Sequence, residues 1–334
     1  MERKLASIVK ITDIQPIPNA DAIEVASVKG WKVVVKKNQF VVGDLAVYFE
    51  IDSFLPVRPE FEFLRKSCFK VLNGKEGFRL KTIRLRNQIS QGLLIPLSDF
   101  EDNYNLEVDD DVTEILGVTK YEPPISAQLS GVIEGAFPQF IPKTDEERIQ
   151  NIIDDYRGER VYITEKLDGT SFTAYFKDGK FGVCSRNFEL KESEENTHWK
   201  VANLNNLRQK MSDLGKNIAL QGEIVGPGIQ DNKYKLSKPT VFFFTGFDID
   251  KQERMSFDEL EWVVHRFNCE WVPVLEYNTI LPNNPINLIE YMLSYAEGKS
   301  ILEPNTDREG VVVRGLTKKF SFKAISNKFL LKTE

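Results

Sequence analysis

The chain contains a lysine two residues before an Asp-Gly pair, within the segment Thr164-Glu165-Lys166-Leu167-Asp168-Gly169-Thr170. A lysine in this setting can carry a nucleotide as a covalent phosphoramidate, but its amine attacks phosphorus only when it is unprotonated. Cationic neighbours or a metal ion would favour loss of the proton, and Asp168 would help to organise the metal. We expect Gly169 to let the backbone turn sharply beside the phosphates. Because Lys-x-Asp-Gly also occurs in hairpin turns, the motif needs support from elsewhere in the chain.

That support comes from short motifs that follow in order. They are Ser185-Arg186-Asn187, Gln221-Gly222-Glu223, Phe242-Phe243-Phe244-Thr245-Gly246-Phe247-Asp248, Glu309-Gly310-Val311-Val312-Val313-Arg314 and Phe322-Lys323. The ordered set resembles the covalent nucleotidyltransferase superfamily of ATP-dependent ligases and capping enzymes. The match runs from near Lys143 to Lys323, and several ordered motifs together are far more specific than any one of them.

The resemblance implies roles at the phosphates. Lys166 would be the nucleophile that takes AMP from ATP. Glu309, Asp168 and Glu223 would hold Mg²⁺ or Mn²⁺ or its water ligands, since carboxylates suit a hard cation. Lys323 would neutralise charge that grows on the α-phosphate during displacement. From the pattern alone, Glu309 could equally be an acid at a strand edge and Lys323 a surface lysine.

The resemblance also implies contacts to the nucleoside. Glu223 would hydrogen-bond a ribose hydroxyl, and Phe244 or Phe247 would stack on adenine. Arg186 would contact the ribose or the acceptor phosphate, and Glu165 would line the adenine pocket, mainly through its backbone. Phenylalanines in a strand are usually core residues, so the stacking role depends on the whole motif set.

The segment that begins at Thr144 predicts a helix. Thr144-Asp145-Glu146-Glu147 has the side chains of a capping box, and Gly158 can close the C-terminus. The apolar stripe between them consists of Ile149, Ile152, Ile153 and Tyr156. Arg148 would lie in the first turn, where the resemblance implies triphosphate binding but where an arginine is usually a surface ion-pair partner.

Residues 144–334 predict an α+β nucleotidyltransferase domain of ATP-grasp-like type, in which sheets hold the nucleotide between them. Strands are expected at 160–164, 171–176, 180–185, 219–225, 241–249, 310–314 and 320–324, and helices at 256–267 and 287–297. The sequence contains neither G-x-x-x-x-G-K-[ST] nor G-x-G-x-x-G, so P-loop and Rossmann folds lose their main support.

Residues 1–117 predict an all-β domain of short strands separated by turns. The expected strands are 25–28, 31–35, 40–42, 46–51, 78–85 and 92–96. Their number suits an oligonucleotide-binding (OB) barrel, although another small barrel or a sandwich has a similar pattern. Residues 118–143 predict a linker, because they are rich in proline and glycine: Pro123, Pro124, Gly131, Gly135, Pro138 and Pro142.

A basic stripe crosses the first domain, although the chain as a whole has a net charge of −6. The net charge argues against a diffuse attraction to nucleic acid. The stripe is Arg65, Lys66, Lys70, Lys75, Arg79, Lys81, Arg84 and Arg86, with Phe69 and Phe78 interleaved and Glu76 as the single acid. Such a stripe is typical of a groove that follows phosphates, and it is also typical of a solvated strand face.

Length and composition fit a two-domain enzyme of 334 residues with 41% hydrophobic content. The start of the chain has no apolar signal core and no stretch could span a bilayer, so we expect a cytoplasmic protein without membrane contact. Cys68, Cys184 and Cys269 lack metal-binding spacing. With only His198 and His265, histidine-based catalysis is poorly supported, and no feature indicates an obligate protein partner.

The order of the domains narrows the resemblance. Lys323 stands eleven residues before the end of the sequence, so we expect no barrel after it of the kind that DNA ligases and capping enzymes carry. This order, together with Gly43-Asp44-Leu45-Ala46-Val47-Tyr48-Phe49-Glu50, resembles the RNA ligases with an N-terminal OB domain. Members of that family seal nicks in duplexes whose broken strand has an RNA 3′-OH end. The implied partner is therefore a nicked RNA-containing duplex, and the implied cofactors are ATP and Mg²⁺ or Mn²⁺.

Two positions depart from another class of RNA ligase. That class has Asn five residues after its nucleophilic lysine, where this chain has Ser171, and it pairs two lysines in its last motif, where this chain has Lys323 and Ile325. Other groups would then sense the acceptor phosphate, and Lys328 is a candidate for the second cation. Neither change affects the covalent step.

Three other functions stay open. An ATP-dependent DNA ligase uses the same covalent chemistry. A non-catalytic nucleic-acid-binding protein with a degenerate nucleotidyl site would bind nicked duplex without forming an adduct. A GTP-using capping enzyme differs in the nucleotide, and nothing in the sequence apart from the resemblance separates adenine from guanine.

Overall fold

The structure is a computed structural model that describes residues 3–100, 106–122, 132–152 and 155–333. The chain divides into two compact units. The first comprises Met1–Ile125, Gln150–Ile153 and Leu330–Glu334, and the second comprises Ser126–Ile149 and Asp154–Phe329. Of the predicted linker, Pro123, Pro124 and Gly131 lie outside the described residues, as does Ile153 of the predicted helix. Among the described residues, no helix has the length and apolar character needed to cross a membrane.

The described part of the first unit is built almost entirely from short antiparallel strands, as predicted. They are β1 (Ala6–Lys10), β2 (Asp13–Pro16), β3 (Ile23–Val28), β4 (Trp31–Lys36), β5 (Leu45–Phe49), β6 (Ser53–Pro56), β7 (Phe69–Leu72), β8 (Lys75–Arg79), β9 (Thr82–Leu85), β10 (Gln88–Gln91), β11 (Leu93–Pro96) and β12 (Thr119–Lys120). They pair in the orders β1-β5-β11, β2-β3-β4 and β12-β6-β8-β7, with β9-β10 as a hairpin. A short helix α1 (Arg65–Cys68) and 3-10 turns at Pro59–Leu64 and Leu97–Asp99 connect them. Phe49, Phe61 and Phe78 are fully buried in the core.

Two strand predictions in this unit are wrong. Residues 40–42 form a turn, where the Val41 amide donates to the Asp44 carboxylate at 2.8 Å and Gly43 has a φ of 102°. The predicted strand 78–85 divides into β8 and β9, and Leu80 between them is buried in the core while its backbone still bonds those of Asp52 and Ser53. The phenylalanines of the basic stripe also belong to that core, where Phe78 is fully buried and Phe69 is half-buried. They are therefore not a stacking surface.

The second unit contains two sheets. Its strands are β13 (Ile133–Ala136), β14 (Glu147–Arg148), β15 (Arg160–Lys166), β16 (Thr170–Lys177), β17 (Lys180–Cys184), β18 (Phe188–Leu190), β19 (Ile218–Val225), β20 (Thr240–Asp248), β21 (Glu253–Arg254), β22 (Glu270–Trp271), β23 (Val274–Ile280), β24 (Gly310–Gly315) and β25 (Ser321–Ile325). The larger sheet has the order β13-β18-β17-β16-β19-β20-β21, with β22 beside β20, and the smaller sheet has the order β14-β25-β24-β15-β23. The α+β prediction is confirmed.

Helices cover one face of the larger sheet. They are α2 (Thr197–Leu204), α3 (Leu207–Leu214) and α4 (Phe257–Arg266), while α5 (Pro285–Ala296) and α6 (Asn327–Thr333) follow later in the chain. Phe172, Leu220 and Phe243 of the sheet pack with side chains of the first three helices, such as Trp199 and Leu260. The opposite face, which carries Glu223, is left for the candidate site. The predicted helices at 256–267 and 287–297 are present, whereas α2 and α3 were not predicted.

Residues 144–152 and 155–158, the described part of the predicted helix after Thr144, do not form an α-helix. Glu147–Arg148 is instead a strand that pairs in parallel with β25, followed by a 3-10 turn at Ile149–Asn151. Glu147, the acid of the expected capping box, accepts from the Arg148 amide at 2.8 Å. The two acids before it make tertiary contacts: Asp145 contacts Lys323 at 3.2 Å, and Glu146 accepts a hydrogen bond from Ser321. Charge pairing with the neighbouring strand therefore replaces local capping.

Removal of the N-cap of α4 should destabilise the protein modestly. The Ser256 hydroxyl accepts from the Glu259 amide, and the Glu259 carboxylate accepts from the Ser256 amide, which completes a capping box. We expect Ser256→Ala to cost about 1 kcal/mol of unfolding free energy, measured by urea denaturation. Ser294→Ala is the matched control, because that hydroxyl bonds the Tyr291 carbonyl within α5 and caps nothing. Equal stability of the two variants would contradict the capping role.

Candidate active site

The smaller sheet places Lys166 and Lys323 on one face. Lys166, at the end of β15, is opposite Gly310 of the neighbouring strand β24. Two residues further along β24, Val312 is opposite Lys323 of β25. Opposed residues share a face of a sheet, and so do alternate residues of a strand. The two lysines therefore project to the same side with one strand between them. Glu309 lies immediately before β24 and so at the same edge as Lys166.

Lys166 forms an ion pair with Glu309. The distance between Lys166 Nζ and Glu309 Oε1 is 2.7 Å, and the two side chains are 30% and 11% exposed. Burial alone would lower the pKa of Lys166, but the carboxylates of Glu309, Glu223 and Asp168 outweigh burial and raise this pKa above its ordinary value. The lysine is thus an ammonium ion here.

Glu223 and Glu309 are both unusually weak acids. Burial raises the pKa of Glu223 to about 8, against the opposing effect of Lys166. Burial also raises the pKa of Glu309, which Lys166 again opposes. Glu223 Oε1 accepts a hydrogen bond from the Gly169 amide at 3.1 Å. Among the described residues, Glu309 Oε2 is buried without a hydrogen-bond partner.

Gly169 lies at a bend between β15 and β16, as predicted, and it is also required for close packing. Its φ is outside the left-handed range, and a Cβ at this position would lie 2.2 Å from the Ile224 carbonyl oxygen. The absence of a side chain lets the motif approach β19, where Glu223 lies. The glycine thus brings the lysine motif and the acid together.

A loop that the sequence reasoning missed also contacts the motif. Lys233 is ion-paired with Asp168, and the Asp168 amide donates to the Tyr234 hydroxyl at 2.8 Å. Within the loop, Asn232 bonds both the amide and the carbonyl of Leu236. The left-handed conformation of Gln230, Asp231, Asn232 and Lys235 shapes the loop. Its proline, glycines and asparagine indicate a turn, but no local signal shows that it reaches Asp168.

The two candidate stacking residues have different surroundings. Phe244 packs at the edge of a cluster that includes Leu167, the residue after the lysine, and the Arg314 guanidinium lies 5.4 Å from the centre of its ring. Phe247 is 5% exposed and packs in a separate cluster with Tyr175. The structure therefore brings Phe244, and not Phe247, towards the lysine motif.

The remaining predicted residues lie on different elements: Arg148 on β14, Glu165 on β15, and Arg186 between β17 and β18 of the larger sheet. Arg148 is opposite Lys323 and buried, so it is not a surface ion-pair partner. Arg186 lies 3.4 Å from Asp145. Glu165 is buried on the other face of the smaller sheet, where Oε2 accepts from the Ile301 amide at 2.8 Å, and burial raises its pKa. Its side chain thus anchors the loop before Glu309.

The carboxylates fit a cation that is held partly by other ligands. In the described ranges, no three His, Cys, Asp or Glu side chains converge as a ready metal site. The donors beside Lys166 are all carboxylate oxygens, and Glu309 contributes one buried oxygen without a hydrogen-bond partner in the described chain. Oxygen donors in small number suit Mg²⁺ or Mn²⁺, which keeps water and takes phosphate oxygens as further ligands.

Comparisons with known proteins agree with this architecture. Residues 5–97 match the model of an OB-fold domain, and residues 159–325 match the model of RNA ligase. The Naegleria gruberi RNA ligase structure with PPi has a TM-score of 0.91 and 44% sequence identity, over 99% of this chain and 99% of that chain. Mutant structures of the same ligase, one with ATP and Mn and one with AMP and Mn, have TM-scores of 0.90 at 44% identity and cover 98% of both chains. Comparison with curated proteins finds no match.

Fold and site together define an enzyme with an OB-fold domain followed by a ligase-type nucleotidyltransferase domain. The chain belongs to the RNA ligase family. The expected OB fold and the resemblance to RNA ligases with an N-terminal OB domain are confirmed. The roles of individual site residues stay predictions.

A methyl group at Gly169 should disrupt the contact between the motif and β19. We expect Gly169→Ala to lower the unfolding free energy by about 1–3 kcal/mol, because the added Cβ meets backbone and not a flexible side chain. Gly135→Ala is the control, since nothing lies within 4 Å of its Cβ position and its φ is ordinary. Similar losses for both variants in urea denaturation would argue against close packing at Gly169.

The buried acid Glu223 should make stability depend on pH. Its pKa is raised to about 8, so the folded protein holds a proton that the unfolded chain releases near pH 4.5. The stabilising contribution is complete below that pH and is lost as the pH rises through 8. We therefore expect Glu223→Gln, which does not titrate, to gain stability relative to the unchanged chain between pH 5 and pH 9. A constant difference in melting temperature over this range would refute the raised pKa.

Proposed function

We propose that the chain is an ATP-dependent RNA ligase that joins a 5′-phosphate to a 3′-OH through a lysyl-AMP intermediate. The observation that carries this proposal is the position of Lys166, paired with Glu309 at 2.7 Å and on the same face of the sheet as Lys323. Support for ATP and a divalent cation comes from the similar Naegleria gruberi ligase, whose structures include ATP and Mn.

In the first step, the Lys166 amine attacks the α-phosphorus of ATP. The nitrogen–phosphorus bond forms as the bond to the bridging oxygen of the leaving group breaks, and pyrophosphate departs. The ammonium proton must leave first, and the carboxylates that raise the pKa of Lys166, Glu309 above all, oppose its loss. Lys323 would offset the charge that develops on the phosphoryl oxygens.

A divalent cation, when bound, would lower the charge repulsion between the carboxylates and the phosphates. Glu309, Asp168 and Glu223 are the residues that would hold it or its water ligands. The same cation would repel the Lys166 proton and so oppose the effect of the carboxylates on the lysine pKa.

Two further steps complete ligation. AMP passes from Lys166 to the 5′-phosphate, which regenerates the amine and creates a pyrophosphate linkage at the 5′ end. The 3′-hydroxyl then attacks the 5′-phosphorus and AMP leaves. Glu223 would hold the ribose, Phe244 would stack on adenine, and Glu165 would act through its backbone. Arg148 and Arg186 would contact phosphate groups.

We propose nicked duplexes with an RNA 3′-OH strand as the substrate. Support comes from membership of the RNA ligase family and from the exposed lysines and arginines of the OB-fold unit, such as Lys66, Lys70, Lys75, Arg84 and Arg86. A polyanionic strand would bind such a surface, and affinity would fall with added salt.

Lys166→Ala should abolish label transfer from α-labelled ATP to the protein. The residual signal should be below about 1% of that of the unchanged chain, because no other group can form the phosphoramidate. Lys251→Ala serves as a control at an exposed lysine that pairs with Asp248. Full labelling of the Lys166 variant would reject the covalent assignment. In the unchanged chain, excess unlabelled GTP should not reduce labelling by α-labelled ATP.

The adenylylated protein should then be discharged by defined ends. Intact mass would follow loss of AMP on addition of 5′-phosphorylated nicks with RNA or DNA 3′-OH ends. Faster sealing of the RNA-ended nick supports the proposal. Equal sealing of all-DNA nicks would favour a DNA ligase, and binding of nicks without any adduct would leave a non-catalytic protein.

A further inference from the structure

Two acids just before β14 contact cations of the smaller sheet. Asp145 and Glu146 come just before the parallel pairing of Arg148 with Lys323. Glu146 is buried, accepts from the Ser321 hydroxyl, and lies 3.6 Å from the Arg314 guanidinium. These contacts fix the backbone that follows Asp145.

The carboxylate of Asp145 is shared between two cations. Asp145 Oδ1 lies 3.2 Å from Lys323 Nζ, and Oδ2 lies 3.4 Å from Arg186 Nη2. Lys323 is 11% exposed and Asp145 is 34% exposed, so one side of the contact is reachable from solvent. Neither distance is that of a short, tight hydrogen bond, and Coulomb attraction at this depth is moderate.

The two cations are the ones that the proposed function gives to phosphate groups. A carboxylate and a phosphate offer the same kind of ligand to an ammonium or guanidinium group, namely anionic oxygens that accept charge-assisted hydrogen bonds. A phosphate that reaches Lys323 and Arg186 must therefore compete with Asp145, which also repels it.

We propose that Asp145 is a positioning residue that holds Lys323 and Arg186 in the nucleotide-free enzyme and yields them to the phosphate of the bound nucleotide. The inference rests on the proposed function, because it assumes that the two cations serve the phosphate. The Asp145 carboxylate keeps the two cations apart and oriented while no anion is present, and it binds them again when AMP leaves.

This arrangement has a direct thermodynamic consequence. Each phosphate contact formed by Lys323 replaces an existing contact with Asp145, so the net gain is smaller than it would be for free cations. Removal of the carboxylate charge should therefore tighten binding of any ligand with a phosphate in this position. A ligand without the phosphate should not respond.

The test compares AMP with adenosine. Binding is measured by calorimetry in a Lys166→Ala background, which cannot carry covalent AMP. We expect Asp145→Asn to tighten AMP binding about 3- to 10-fold, the range of a partly exposed ion pair, and to leave adenosine unchanged. Asp213→Asn is the matched control, since it removes the same charge from an exposed residue that pairs only with an amide in the described chain. Asp145→Ser provides a second uncharged variant if the asparagine variant is unstable.

Kinetics with Lys166 intact provide the second readout. We expect Asp145→Asn to lower the KM for ATP in adenylylation by a similar factor, and Asp145→Glu to restore it. If Asp145 only supported the fold, its replacement would instead raise the KM and lower kcat.

The inference is overturned if Lys323→Ala weakens AMP binding but both uncharged variants of Asp145 bind AMP no more tightly than the unchanged residue does. If Lys323→Ala also leaves AMP binding unchanged, the phosphate role of Lys323 in the proposed function fails, and the inference fails with it.

Discussion

The ion pair between Lys166 and Glu309 is the interaction on which the candidate site depends. A buried carboxylate without a cation costs several kcal/mol, and Glu309 lies close to further acids. The ammonium group of Lys166 offsets that charge, which explains why the pKa of the lysine is raised although burial opposes it. Glu223, with a pKa of about 8, avoids the same cost by keeping its proton at neutral pH. Under the proposed function, the ammonium proton of Lys166 that stabilises the resting site is the one that would leave before this lysine attacks ATP.

The same principle extends to three further acids beside the site, each of which pairs with a cation from another segment. Asp168 pairs with Lys233 of a loop, Asp145 with Lys323 of β25, and Glu146 with Arg314 of β24. These segments are far apart in sequence, and the pairs fix them next to the lysine motif. The elements that look irregular, the Gln230–Asn232 turn and the two-residue strand β14, are therefore as much part of the site as the long strands.

The sequence predicted the elements with strong local signals and failed where tertiary charge pairing decided the structure. Long strands such as β15, β19 and β20 were correct because β-rich runs are bounded by turn residues, and α4 was correct because Ser256 and Glu259 form a capping box. Thr144 to Glu147 carries the same side chains but faces β25, and contacts to Lys323 and Ser321 outweigh capping there. The eight-residue helices α2 and α3 show only short apolar stripes, which are weak periodic signals.

A nucleotide can enter such a site if its groups replace the ion-pair partners of the charged side chains, so that no side-chain charge is left unpaired. A nucleotide triphosphate with its divalent cation brings anionic oxygens for the cations and positive charge for the acids. Phosphate oxygens can replace Asp145 at Lys323, while the cation can replace the ammonium groups at Glu309 and Asp168. No buried charge is then left without a partner at any stage, which is the condition for a low barrier to binding. Under the proposed function, Lys166 would lose the carboxylates that hold its proton only after this exchange, so its activation as a nucleophile would depend on arrival of the substrate.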